Sequence, residues 1–270
     1  MPYFLRCATK SPSRKIVRRC AVLLLILVAW GCQLGTPEDP NDVKTAGLLA
    51  PDVIRSQLNG TSDMLMQRVR QGELTDAEFQ ALIAKKAKEL IKDLPMDRIE
   101  PARAWEYGDV FRTAQHWKEA KAVLLVAVDH AIKTKNEDRR VNDLLRLAHA
   151  EAKLGEVPLA ITTARRTLNA PPTGSAPILP AVLLEIVPAA RGKGHDVELA
   201  ELLESAIKKH MDTVVDPKTE PGQMFLVARP HHVRNAWQLV IELYAKAGKE
   251  QDARQALARS EEMLDTIRRV

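Results

Sequence analysis

The body of this 270-residue chain lacks cysteine. Cys7, Cys20 and Cys32 are the three in the sequence, and all lie within the first 32 residues. A disulfide framework or a cysteine-based metal site beyond residue 32 is thereby excluded, and a body without thiols suits an oxidising compartment. Aromatic residues are scarce, at 4%, too few for the strands of a sandwich or barrel. Sustained period-two alternation, the main strand signal, is missing as well. No HExxH, Walker loop, GxSxG or CxxC occurs, so these catalytic and nucleotide-binding patterns have no foothold. The body also lacks an excess of charge. The net charge of +5 arises at the start, where Arg6, Lys10, Arg14, Lys15, Arg18 and Arg19 occur without an acid. Without those six, 34 Lys and Arg face 35 Asp and Glu. Nucleic acid needs a basic surface, and none is expected as a partner.

The first feature present is an address. The basic stretch leads into ten apolar residues at 21–30, AVLLLILVAW. A membrane-spanning helix needs roughly 20, whereas a signal-peptide core needs about 7–15. The run closes on Ala29-Trp30-Gly31-Cys32, and this boundary resembles the bacterial lipoprotein lipobox, with Ala29 where Leu is usual and Trp30 where a small residue is usual. The resemblance implies a diacylglyceryl group on the Cys32 thiol, cleavage before Cys32 and acylation of the new amine. Gln33, rather than Asp, then favours the outer membrane facing the periplasm if the cell is Gram-negative. One acyl chain binds marginally at about 0.8 kcal/mol per buried CH₂, and two or three hold stably. An ordinary secretory signal and an uncleaved anchor are the alternatives.

The expected organisation is a signal peptide over 1–31, lipidated Cys32 with a flexible tether over 32–50, a helical hairpin over 51–96 and a helical-repeat domain over 97–270. The tether carries two prolines, two glycines and scattered acids with little periodicity. In the lead-in, Val53, Ile54, Leu58, Met64, Leu65 and Val69 mark a helix, with a break expected near Asn59-Gly60. Thr75-Asp76-Ala77-Glu78 is a capping-box pattern opening a second helix, which stops before Pro95.

From there the chain repeats itself. Four segments align on Ala120, Ala160, Ala200 and Ala253, each opening the second helix of a hairpin. Gly155 and Gly248 stand five residues before their alanines, where a helix end needs positive φ. The pattern resembles the tetratricopeptide repeat. Its first unit reads Ala104, Tyr107, Gly108, Phe111, Ala120, Leu124 and Ala127. The second reads Leu144, Leu147, Ala148, Ala160, Ala164 and Pro171. The third reads Leu184, Val187 and Ala200, and the fourth Trp237, Val240, Tyr244, Gly248 and Ala253. The resemblance implies an all-α, right-handed α-solenoid of about four degenerate hairpins with a concave face. Alanine spacings of 40, 40 and 53 depart from 34, and Pro188 and Ile241 stand where a small residue is usual. Short side chains let the two helices of a hairpin approach closely, and larger ones fill the space between hairpins. An irregular helical bundle is the alternative architecture.

Carried over residue by residue, the repeat register places Trp105, Asp109 and Arg112 on the concave face, followed by Asn142, His149 and Lys153, then Glu185 and Lys193, then Asn235, Gln238, Glu242 and Lys246. Lys153, Lys193 and Lys246 are equivalent positions that could form a carboxylate-reading row; each also lies where a helix C-terminus favours a cation. Gly192 and Gly194 come after a helical pattern, so they read as a helix end rather than a phosphate loop. Pro230 before His231-His232 reads as a helix start, and Glu198, Glu201 and Glu204 as a solvated face. No catalytic residue, metal or cofactor is expected. The expected function is a lipid-anchored envelope scaffold that binds a protein or peptide; an envelope enzyme or carbohydrate-binding protein with a helical cleft, and a structural spacer, are the alternatives. Replacing Cys32 with Ser should abolish palmitate labelling and shift the chain out of the processed membrane fraction; unchanged labelling would contradict the anchor.

Overall fold

The computed structural model describes residues 48–171 and 177–269, so the expected signal segment and Cys32 lie outside the described residues. Helix α1 (Pro51–Arg70) starts on a proline, whose missing N–H costs nothing in a first turn, with Asp52 beside it and Arg68 and Arg70 at the far end. The break expected at Asn59-Gly60 does not occur. A Cβ built on Gly60 meets nothing within 4 Å, while Ile54, Leu58 and Leu65 are buried along one face. That burial outweighs the ~1 kcal/mol an interior glycine costs. Helix α2 (Asp76–Ile91) opens with the capping box. Thr75 Oγ1 accepts from the Glu78 amide at 3.2 Å, and Glu78 Oε2 accepts from the Thr75 amide at 2.8 Å.

The chain continues as α3 (Ala104–Thr113), α4 (Trp117–Lys133), α5 (Glu137–Lys153), α6 (Val157–Arg165), α7 (Ile178–Ala181), α8 (Val187–Ala190), α9 (Asp196–Met211), α10 (Glu220–Lys246) and α11 (Glu250–Arg269). No strand occurs among the described residues, and the fold is all-α. Helices α1 to α6, and α9 to α11, pack on their neighbours in sequence. Further contacts join α3 to α5, α5 to α8 and α6 to α9. The lead-in shares its core with α3 and α4, because Ile54, Leu58, Ala87 and Ile91 pack in one cluster with Tyr107, Phe111 and Leu124.

Five turns share one hydrogen-bond pattern. At the ends of α1, α3, α4, α5 and α10 the chain reverses through Gly72, Gln115, Lys135, Gly155 and Gly248, all with φ between 54° and 82°. The next amide then reaches back five residues: Glu73 to the Arg68 carbonyl at 2.9 Å, His116 to Phe111 at 2.9 Å, Asn136 to Ala131 at 2.9 Å, Glu156 to Glu151 at 3.0 Å and Lys249 to Tyr244 at 2.9 Å. This satisfies carbonyls the helix end would leave bare. Gln115 and Lys135 bear a cost of roughly 1–2 kcal/mol that glycine avoids.

Ala120, Ala160 and Ala200 are wholly buried, Ala253 nearly so, and Ala127 and Ala148 are buried beside them. Gly108 of α3 shows how close the approach is. A Cβ there would lie 2.6 Å from Leu124 Cδ2 and 2.7 Å from its Cγ.

The segment between α6 and α9 departs from this regularity. Between α7 and α8 runs a π-helical turn, Val182–Ile186, in which the Val187 amide bonds the Val182 carbonyl. Pro188 supplies the reason. It has no N–H to give to the Leu184 carbonyl and its ring crowds that turn, so the helix widens by one residue. Pro188 itself is exposed, and Ala189 and Ala190 are the small residues buried beside it. Further on, Pro230 is not a helix start. Helix α10 begins ten residues earlier, where Thr219 Oγ1 accepts from the Gly222 amide at 3.2 Å, and it runs through Pro230.

Helix α5 is the middle of the molecule. Its Leu144, Leu147 and Ala150 belong to the core shared with α1 to α4. Its Val141, Leu145, Ala148 and Ala152 belong to the core built with α6 to α11. Replacing Gly108 with Ala should destabilise the chain by roughly 1–3 kcal/mol through overpacking on fully buried Leu124, against a gain of about 1 kcal/mol in helix propensity. A urea melt showing net stabilisation would contradict the close contact.

Candidate functional site

Three elements bring polar side chains to one strip. On α3, Trp105, Asp109 and Arg112 are spaced by four and three, which places them on one face. On α5, Arg139, Asn142, Arg146, His149 and Lys153 obey the same rule. The π turn adds Glu185. Arg112 is the junction. Its Nη1 donates to Asp109 Oδ1 at 3.0 Å, and its Nη2 reaches Glu185 Oε2 at 2.5 Å and His149 Nδ1 at 2.9 Å. Arg146 Nε donates to the same Asp109 oxygen at 2.6 Å. Of the twelve residues expected on a concave face, Asp109, Arg112, His149 and Glu185 are therefore in direct contact across α3, α5 and the π turn.

The flanks are aromatic and cationic. The Arg139 guanidinium lies 3.9 Å from the centre of the Trp105 ring, close enough for a cation–π interaction. The Trp117 ring lies 5.2 Å from that of His149, and Lys153 Nζ stands 5.6 Å over Trp117. Beneath the strip, Asp143 is fully buried and held by Arg139 Nε and Nη2 at 3.0 and 2.6 Å. Sequence reasoning does not single out Arg139, Asp143, Arg146 or Trp117. Arg139 and Arg146 were legible, since each lies three residues from Asn142 or His149 on one helix face.

The remaining expected positions are engaged locally. Asn142 Nδ2 donates to the Asp138 carbonyl of its own helix at 2.8 Å. Lys193 Nζ donates to the Ala152 carbonyl at 3.0 Å, capping α5. Lys246 pairs with Glu242 at 2.5 Å, and Asn235 Nδ2 meets His231 Nε2 at 3.0 Å; Gln238 is exposed on the same helix. Lys153, Lys193 and Lys246 thus have three separate partners. A cleft of about 520 Å³ lies between α9, α10 and α11. Trp237, Met211 and Met263 line it, with the Arg259–Glu204 ion pair, 2.7 Å, beside them. Among the described residues, no three His, Cys, Asp or Glu side chains are placed to hold a metal ion.

The strip's electrostatics favour one protonation pattern. Burial pushes His149 below its ordinary value, and the Arg112 charge adds to this against the pull of Glu185. Burial pushes Glu185 up, but the hydrogen bond with His149 and the Arg112 charge overcome it and hold the carboxyl below its usual range. Asp143 goes the other way, raised by burial despite Arg139. No family model matches the chain, and no curated protein matches it in sequence.

A carboxyl with a depressed folded pKa contributes stability above its unfolded pKa, here near 4.5, and loses it as pH falls through the folded value. Glu185 is 43% exposed, so the contribution is small, about 0.5–1 kcal/mol. Glu185→Gln should therefore lower Tm by about 1–3 °C at pH 7, and the difference should shrink as pH falls below 4.5. A difference that stays constant as the solution is acidified would contradict the ionic role.

Proposed function

We propose that this chain is a membrane-tethered scaffold of the bacterial envelope, whose tetratricopeptide-like hairpins stack into a curved array that binds an extended peptide or a protein. One observation carries the reading: residues assigned to the concave positions of three successive units meet in a single strip. Asp109, Arg112, His149 and Glu185 lie far apart in the chain, and a register chosen at random would scatter them around their helices. Hairpins that share a register also share a face, and a face shared by several hairpins is long enough to read a segment rather than a small molecule.

The chemistry of the strip suits that role. Arg112 and Arg146 fix Asp109 and Glu185 in place, so the surface is pre-organised and a partner orders little on binding. Trp105, Trp117 and Lys153 offer flat and cationic contacts at the margins; tryptophan above all is a residue type that dominates binding energy at interfaces. The lipid on Cys32 would hold this surface near the membrane, where a high effective concentration substitutes for tight intrinsic affinity.

Photocrosslinking in intact cells tests the reading. A photoreactive residue at Asn142 or Lys153 should give a discrete adduct, and one at Leu125, exposed on the second helix of the first unit, should not. Arg112→Ala should weaken the Asn142 adduct. Adducts of equal yield at Asn142 and Leu125, or none at either strip position, would overturn the proposal.

A further inference from the structure

The first ten residues of α10, Glu220–Arg229, form an arm with little apolar cover. Met224 and Val227 are 67% and 81% exposed. The arm is tied to the connector before it. A Cβ on Gly222 would lie 1.9 Å from the Asp216 carbonyl oxygen, and Thr219 Oγ1 bonds both that oxygen and the Gly222 amide. Arm and connector thus make one local piece.

A small cluster clasps that piece to the end of α9. The Phe225 ring lies 4.5 Å from that of His210, and the Arg229 guanidinium 4.9 Å from the Phe225 ring. Arg229 Nη2 donates to the Thr213 carbonyl at 2.9 Å. His232, on the next turn of α10, has its ring 5.9 Å from that of His210. Three polar atoms of the cluster go uncompensated: His210 Nε2, His232 Nδ1 and Arg229 Nε are buried with no partner. His210 itself is only 6% exposed. The arm also has a built-in weak point, since Pro230, inside α10, removes one helical hydrogen bond there.

We propose that Glu220–Arg229 is an acid-released arm, closed over neutral His210 and freed to swing about Pro230 when the His210 and His232 imidazoles take up protons. The charged groups around His210 make protonation in place costly. From α10 it faces His232 and Arg229, with His231 adjoining His232 at 6.3 Å. Lys209 precedes it on α9. From α5, Glu137 and Asp138 line the water-sized cavity beside it; Glu137 is committed to Arg140, and Asp138 also has a partner. Burial, then His232, then Arg229 push His210 down to about 4 from 6.5. A histidine with a depressed folded value loses stability as pH falls below its free value, so the closed arm weakens from about pH 6.5 downwards.

Hydrogen exchange on the full chain tests this, as protection factors for residues 220–229 at pH 7.5 and pH 5, with the α5 amides as internal reference. An imidazole of 6.5 when open and about 4 when closed predicts roughly 30-fold more opening at pH 5. His210→Leu, close in volume and unable to titrate, should flatten the response. His232→Asn, which removes one neighbouring charge, should shrink it. Pro230→Ala should reduce opening at both pH values and keep their ratio. Arm protection equal at the two pH values would overturn the proposal, as would α5 losing protection in parallel or His210→Leu keeping the full response.

Discussion

Burial on two sides of one helix governs the rest of the structure. Helix α5 gives Leu144, Leu147 and Ala150 to one core and Val141, Leu145, Ala148 and Ala152 to the other. A surface helix buries one stripe and leaves the opposite face to its polar residues. Helix α5 has no such opposite face. Arg139, Arg146 and His149 are crowded into a narrow strip between two apolar seams, while Glu151 is buried on another side. The small residues around them, Ala148, Ala150 and Ala152, are the condition for that crowding, because neighbouring helices approach α5 from both sides.

Charge pairing along the strip is a consequence of this confinement. Groups half removed from water need partners, and the nearest are Asp109 on α3 and Glu185 on the π turn. Arg112 and Arg146 converge on Asp109, and Arg112 continues to Glu185. Pairs of this exposure add little stability individually. Their larger effect is on specificity, since a shift of α3 against α5 by one residue would leave several charges unpaired at once. The same polar strip is the surface proposed to meet a partner.

The helical class was legible in the sequence, because spacing by three and four and the absence of alternation are local signals. The turns were partly legible. Gly155 and Gly248 announced a positive φ, whereas Gln115 and Lys135 adopt it without the residue that signals it. Gly60 misled for the opposite reason: glycine weakens a helix without forbidding it, and buried Ile54, Leu58 and Leu65 decided the outcome. Pro230 misled likewise, since a tertiary clasp carries α10 through it. That Asp109 and Arg112 share one face of α3 could be read from helical periodicity. Asp143 could not, because a carboxylate at zero exposure is unexpected until Arg139 is seen to cover it. The π turn was also hidden: Pro188 signals a disturbance, but its form depends on how α7 and α8 lie against α5 and α9.

If α5 joins the two cores, neither half can unfold while the other persists, although repeat arrays are built from units that contact mainly their neighbours. Urea unfolding followed through variants that keep only Trp117, in the first core, or only Trp237, in the second, measures this directly. Coincident midpoints and slopes for both probes are predicted. Two separated transitions would contradict the central place given to α5.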